Sequence, residues 1–538
     1  MNLLALFVAL AAAAFLARVP AERLGWVDGV RRVLDHGLTP LIVGCACALL
    51  ALLAWRAASF TPIDHDEVAY LLQAHIFAMG RWASPPPPMP DFFGQAHVLV
   101  TPVLASKYPP GHSLLLAIGA LFGAPVAVVF LLNAVRFGMT FALARRLSDG
   151  GTALLAVIVL LLGKDPRRFA SSYYSELTSG ALLLVCWYCL WKWRDTGRRG
   201  WLLGTAASLG WIAITRPWSA LAFALPIGVV VVRDVWRGGR WKELGLAVAV
   251  GACVVAVIPL WAYGTLGDWR RTPQLEYTRD YMPFDFPHFG TVATQPRLVP
   301  PPDVAAVNVS LRAVEQEHTL GNLGRQAVER AYALLDNVFP DPMLLFVAAM
   351  IVGLIFMPSA GWVGVTTLVA TFVGYLAHPT WSTWTVYFLE VEPVLVFAAV
   401  LGLSVIWRRL AHEWRRDAWD AAPRAFIATL VACLCFAPAV ADATSQVRNG
   451  LFNATIERRA FQAGAAALPH QPAIVFVRYG PKHSPHMSLT SNSADWPHAP
   501  VWAVYDLGPR SEELVRAEPG RHPYIYDEAA GRFFDLRP

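Results

Sequence analysis

Long apolar blocks alternate with polar connectors along the whole chain. The blocks run to roughly 17–22 residues, enough for a helix to cross a hydrocarbon core. They predict spans over 1–17, 38–58, 126–146, 151–170, 177–193, 201–215, 218–232, 244–263, 343–358, 361–377, 391–407 and 424–441. The expected fold class is therefore a polytopic α-helical membrane protein with about twelve transmembrane helices. Polar segments cover 57–125 and 264–342, a short stretch HPTWSTWTVYFLEVEP, and the tail from Ala441. Within the first, EVAYLLQAHIFAMGRW has a helical pattern and Pro85 to Pro88 form an extended spacer. YPPGHSLLLAIGALFG is apolar but short, and reads as a helix at the membrane surface.

The pattern changes in the tail. AIVFVRYG and VWAVYDLG read as strands, SEELVRAEP as a helical turn, and PYIYDEAAGRFFDL as a hairpin. An amphipathic helix over 446–467 leads into them. Three domains are expected: 1–37, an extra N-terminal membrane helix and cytoplasmic loop; 38–441, the membrane core; and 442–538, a small α/β domain outside the membrane.

Charge adds an orientation. The basic stretches Arg18 to Arg32, ARRLSDG, WKWRDTGRRG, RDVWRGGRWK and WRRLAHEWRRDAWDAAPR fall on one side if the spans alternate, and that side is cytoplasmic. The long polar loops then lie outside. Arg167 and Arg168 break the rule, in GKDPRRFASSYYSE on the outer side. No Lys or Arg precedes the apolar run 1–17, the reverse of a secretory signal, so it is expected to be a membrane helix.

Composition agrees with a membrane protein: 56% of residues are hydrophobic and 15% charged, against about 25% charged in soluble domains. The formal charge of +6 comes from 44 basic and 38 acidic residues. The basic ones sit in short clusters between apolar blocks, so no nucleic-acid partner is expected. All 7 cysteines fall inside apolar blocks and read as packing residues.

The candidate chemistry lies outside. FTPIDHDEVAY places Asp64, His65, Asp66 and Glu67 just beyond the second span. A carboxylate held half out of water there gains proton affinity and can act as a general base. The Asp64-x-Asp66 spacing also suits a divalent cation, Mg or Mn. Equally, acids at a helix start cap it without any further role. Lys107, ahead of Tyr108-Pro109-Pro110, suits an anionic phosphate at headgroup depth or snorkels to the interface. Glu176 opens a span on the outer side, as a site acid or a cap, and Arg216 lies in the outer turn ITRPW.

Together these motifs resemble a known family. Asp66-Glu67-x-x-Tyr70, then Gly80-Arg81, then Lys107-x-Pro109-Pro110 and Phe122-Gly123 resemble the glycosyltransferase-C superfamily. The resemblance is narrower to the bacterial branch related to protein O-mannosyltransferases and the lipid A aminoarabinose transferase, over roughly 38–260. It implies sugar transfer from a polyprenyl-phosphate donor to a lipid, glycan or protein acceptor at the periplasmic face of the bacterial inner membrane. It also implies Asp66 as base, with Glu67 orienting it or sharing its proton. Lys107 and Arg216 would face the donor phosphate. Asp64, His65, Tyr70, Tyr108, Glu176 and His378 would line the cavity, and Asp64, Asp66 and Glu176 would hold any metal. The tyrosine in Lys-Tyr-Pro-Pro, the charged Asp64-His65 pair and the C-terminal domain depart from the family pattern. Two other functions compete. A lipid-linked sugar transporter or flippase would carry its charges within the spans of repeated halves; a non-catalytic scaffold would leave the Asp-Glu and Lys-x-Pro-Pro motifs unexplained.

Overall fold

The computed structural model describes residues 27–413 and 421–537, together with Phe7, Ala11, Ala12 and Phe15. Apart from those four residues, the helix expected over 1–17 lies outside the described residues. Helices dominate. α1 (Val27–Asp35) and α2 (Thr39–Arg56) precede the first long loop, which carries α3 (His65–Ala78), the hairpin β1 (Val98–Leu99) and β2 (Ala105–Ser106), and α4 (Gly111–Ala120). The membrane part continues through α5 (Pro125–Leu147), α6 (Gly150–Leu162), α7 (Lys164–Phe169), α8 (Glu176–Thr196), α9 (Arg199–Ala213), α10 (Pro217–Gly238), α11 (Trp241–Val255) and α12 (Val257–Leu266). Among the described residues, α2, α5, α10 and the α11–α12 run are long and apolar enough to cross a membrane. The chain is a multi-pass membrane protein.

Start signals explain several of these boundaries. α5 and α10 open with proline in the first turn, where a missing N–H costs nothing. The Asp149 carboxylate accepts the Thr152 N–H at 2.9 Å and caps α6. α6 stops at Gly163, whose backbone is extended, and KDPRRF forms the separate α7. The span expected over 151–170 is thus shorter, and Arg167 and Arg168 lie beyond the apolar helix.

The second long polar loop holds more structure than its composition suggested. It contains α13 (Pro273–Tyr281), α14 (Pro302–Glu317) and α15 (Leu323–Val338), the first two opening on proline. α15 with its preceding turn meets α16 (Met343–Ile355) at a bend of 103°, making a fifth possible span. Then come α17 (Trp362–Leu376), α18 (Glu392–Glu413) and α19 (Ala421–Ala466). α19 is one helix of 46 residues. The last span and the amphipathic helix expected over 446–467 are continuous, because nothing but Pro438 interrupts them.

Small residues set the helix crossings. A Cβ on Gly44 of α2 would collide with the Ala134 carbonyl of α5, and one on Gly353 of α16 with the Ala398 carbonyl of α18.

The tail forms β3 (Ala473–Arg478), β4 (Val501–Tyr505), α20 (Ser511–Ala517), β5 (His522–Asp527) and β6 (Arg532–Asp535). The sheet order is β4-β3-β5-β6, parallel except for the terminal β5–β6 hairpin. Both faces of β3 are covered, as parallel strands require. Val475 and Val477 pack on Phe461 of α19. Ile474 and Phe476 share a core with Ala69, Leu72 and Ile76 of α3, and with Phe92, Phe93, Val98 and Leu104 of the first loop.

Candidate active site

The site is built around the start of α3. Asp64 is the N-cap and Glu67, three residues on, completes a capping box. One Glu67 oxygen accepts the N–H groups of Ile63 at 2.9 Å and Asp64 at 3.3 Å; the other accepts the Tyr173 N–H at 2.8 Å. Burial, then the neighbouring Asp64 charge, push its carboxyl up to about 7, against those amides. The structure therefore spends Glu67 on tying α3 to the α7–α8 connection, and gives it no bond to Asp66. Asp64 also faces that connection: its Oδ2 accepts the Tyr174 hydroxyl at 2.6 Å, with Arg168 3.7 Å away. Arg168, the exception to the charge rule, thus has an acid beside it.

Asp66 points elsewhere. Its Oδ1 accepts the Tyr108 hydroxyl, and His65 Nε2 lies 3.2 Å from its Oδ2. His97 Nε2 is 3.9 Å from Oδ1. The Asp66 side chain is 23% exposed. Asp64 and Asp285 are also partly exposed, but each faces a cation; among the described residues Asp66 has only histidines as ionic partners. The β1–β2 hairpin carries His97 here: Leu99 pairs with Ala105, and the Lys107 N–H donates to the His97 carbonyl at 2.9 Å. His97 holds a left-handed backbone at φ 63°, uncommon for a residue with a side chain. Burial, then Lys107, holds its imidazole well below the usual range.

Lys107 is buried and donates to Asp285 Oδ2 at 2.9 Å, between the rings of Tyr108 and Tyr277. His378 Nε2 lies 3.8 Å from the other Asp285 oxygen. Burial pushes the His378 imidazole down to about 4, against the attraction of Asp285.

Arg216 is more heavily engaged. It donates to Glu176 Oε1 at 2.6 Å and to the Tyr375 hydroxyl at 2.9 Å, and pairs with Glu390 Oε1 at 3.1 Å. Two buried carboxylates already neutralise it. Tyr70 bridges the two halves: its ring stacks on Tyr108 at 4.5 Å, and its hydroxyl is 2.9 Å from Ser175 Oγ, which Arg216 also reaches. Below this layer Arg136 and Glu392 form a buried pair, with Arg136 also donating to the Leu389 carbonyl. This pair braces the turn that carries Glu390.

The C-terminal domain reaches the same place. His486 stacks on His65 at 5.0 Å and meets Trp384 edge-on at 5.9 Å. His483 contacts Asp303 and Glu528, and the Tyr505 hydroxyl donates to Asp303 at 2.9 Å, so the domain is docked on α14.

The metal set expected from the sequence does not assemble. Asp64 is engaged by Tyr174 and Glu176 by Arg216. Instead, ligand atoms of His65, Asp66 and His97 lie within 4.8 Å of one another. Sequence reasoning missed His97, Asp285, Glu390 and His486. The alternation of VLVTPVLAS around its turn hinted at the hairpin that brings in His97; nothing local marked the other three.

The sequence matches no known family profile and no curated protein. Among solved structures, ArnT from Cupriavidus metallidurans bound to undecaprenyl phosphate is 12% identical, covering 89% of this chain and 92% of its own, with a TM-score of 0.51. The same protein in the apo state is 14% identical with equal coverage, at 0.50. An oligosaccharyltransferase from Archaeoglobus fulgidus is 13% identical over 80% of this chain and 58% of its own, at 0.41. The chain has the fold of ArnT.

Proposed function

We propose that this chain, sharing that fold, is a membrane glycosyltransferase that moves a hexosyl or pentosyl unit from a polyprenyl-phosphate donor to a lipid, glycan or protein acceptor. The reaction takes place at the periplasmic face of a bacterial inner membrane, under a C-terminal domain formed by 442–538. The observation that carries this reading is Asp66: a partly exposed carboxylate held by Tyr108, whose ring lies 5.3 Å from the ammonium of a buried lysine, Lys107. The undecaprenyl phosphate bound to ArnT supports this class of donor.

The chemistry follows from these groups. Tyr108 pins Asp66 Oδ1, and Oδ2, with His65 Nε2 3.2 Å away, takes the acceptor hydroxyl proton. As that proton leaves, the acceptor oxygen bonds to the sugar C1, through an oxocarbenium-like state. The bond from C1 to the phosphate oxygen breaks, and its electron pair departs with the lipid phosphate. That growing charge needs a cation rather than an acid. Lys107 spends one of its three donors on Asp285 and has others to offer. Arg216, held by Glu176 and Glu390, serves better to shape the cavity wall than to bind phosphate alone. Displacement in one step inverts the anomeric centre. Tyr70, His65 and His378 line the space around the reacting atoms, while Glu67 and Asp64 hold α3 in place.

Binding of undecaprenyl phosphate to the purified protein tests the donor assignment. Lys107→Ala is expected to weaken it by about tenfold or more, the worth of one charge-assisted hydrogen bond. Equal binding by wild type and variant would remove Lys107 from the phosphate site. No binding by either would overturn the donor class.

A further inference from the structure

We propose that His65, Asp66 and His97 form a binding site for one first-row transition ion, such as zinc, cobalt or manganese, rather than for magnesium. Three side chains from two elements converge. His65 Nε2 lies 3.2 Å from Asp66 Oδ2, His97 Nε2 lies 3.9 Å from Oδ1, and the ligand atoms fall within 4.8 Å of one another. An ion about 2.0–2.2 Å from each donor spaces neighbouring donors roughly 3.0–3.5 Å apart, so a small turn of the His97 ring closes the set.

A second observation sets these rings apart from His112. His112, buried in the same loop, has both nitrogens satisfied, by Thr178 and the Tyr173 carbonyl at 2.8 Å each. His65 and His97 are also buried, yet the Nδ1 atom of each has no hydrogen-bond partner. Their polar contacts are all at the Nε2 edge, around one carboxylate. Packing holds them instead: His97 lies 4.4 Å from the His65 ring on one side, and His486 lies 5.0 Å away on another. The C-terminal domain thus walls the site.

The donor set decides the ion. Two imidazoles and one carboxylate suit zinc, cobalt, nickel or manganese, whereas magnesium takes oxygen ligands and keeps its waters. An ion here would favour loss of a proton from a hydroxyl bound to it. Binding is read without donor or turnover, so its failure leaves the transfer reaction open, and the reverse also holds.

The test uses tag-free, full-length protein in detergent, stripped with a chelator and titrated with Co2+. One equivalent should bind with ligand-field bands in the visible, be displaced by Zn2+, and resist Mg2+ in about hundredfold excess. His65→Asn and His97→Asn should each weaken Co2+ binding by about 10²-fold or more. His75→Asn, at an exposed histidine of α3, should bind as wild type does. Should either site variant fail to fold, pulsed EPR of wild type with one equivalent of Cu2+ carries the test through coupling to imidazole nitrogens. Absence of saturable one-to-one binding, Co2+ binding retained by both variants, or no nitrogen coupling would overturn the assignment.

Discussion

Replacing Phe92 with alanine probes the union of the first long loop with the C-terminal sheet. Phe92 is fully buried, and its ring meets that of Phe476 edge-on at 6.3 Å. Phe476 is itself fully buried on the central strand β3, and next door Phe93 meets Trp502 of β4 at 5.2 Å. Truncating a buried phenylalanine costs about 3–5 kcal/mol, because the cavity it leaves closes only in part. At about 1.4 kcal/mol per factor of ten, the opening equilibrium of this core should shift by roughly 10²-fold to several times 10³-fold. Hydrogen exchange by mass spectrometry, in detergent, measures it on peptides covering 92–104, 473–478 and 501–505. With a shared core, protection falls in all three, although Phe92 is far in sequence from both strands. The same core backs α3 through Ala69, Leu72 and Ile76, so turnover should fall with it. Faster exchange confined to 92–104, with the strands unchanged, would show that the C-terminal domain stands on its own core and would refute this reasoning.

Three further outcomes are expected. Glu390→Ala removes one of two carboxylates from Arg216 and the carboxylate bonds of Ser179 and Ser219; breaking such a buried pair costs on the order of 3 kcal/mol, seen as a lower melting temperature, and an unchanged one would mean that Glu176 alone suffices. His483 gains Asp303 and Glu528 on folding; burial works against its charge, but these two acids raise its pKa overall. The stability it lends to docking on α14 is full below the imidazole's unfolded value and is lost as pH rises through the higher folded value. Protease cleavage within 302–317 should therefore increase with pH across that window, and His483→Gln should flatten the dependence. Gly353→Val drives a side chain into the Ala398 carbonyl; overpacking of about 1–3 kcal/mol should appear as poor recovery of monodisperse protein, and normal yield would show that α16 and α18 can separate at little cost.

Much of the fold was legible because apolar blocks and their caps are local signals. α5, α8, α10 and the strands of the tail lie where the pattern puts them. The break at Gly163 and the run through Pro438 depend on what neighbouring helices satisfy, which no window of sequence reveals. Within the site, Asp64 and Glu67 could have been read as a capping box from their spacing alone, and that would have separated Glu67 from Asp66 at once. Arg216 was visible as an outer-face cation, but its two carboxylate partners come from 40 and 174 residues away. His97 depends on strands only two residues long. His486 depends on docking that the Phe92-Phe93 pair creates, and an aromatic pair after a proline run signals burial without naming its partner.

The central claim is that Asp66 takes the acceptor proton. The most direct measurement compares wild type with Asp66→Asn in the purified protein, following sugar release from a panel of polyprenyl-phosphate sugars alongside lipid binding. The account predicts that the variant binds the lipid as wild type does and turns over about 10²-fold more slowly or worse. Turnover unchanged in Asp66→Asn would contradict it.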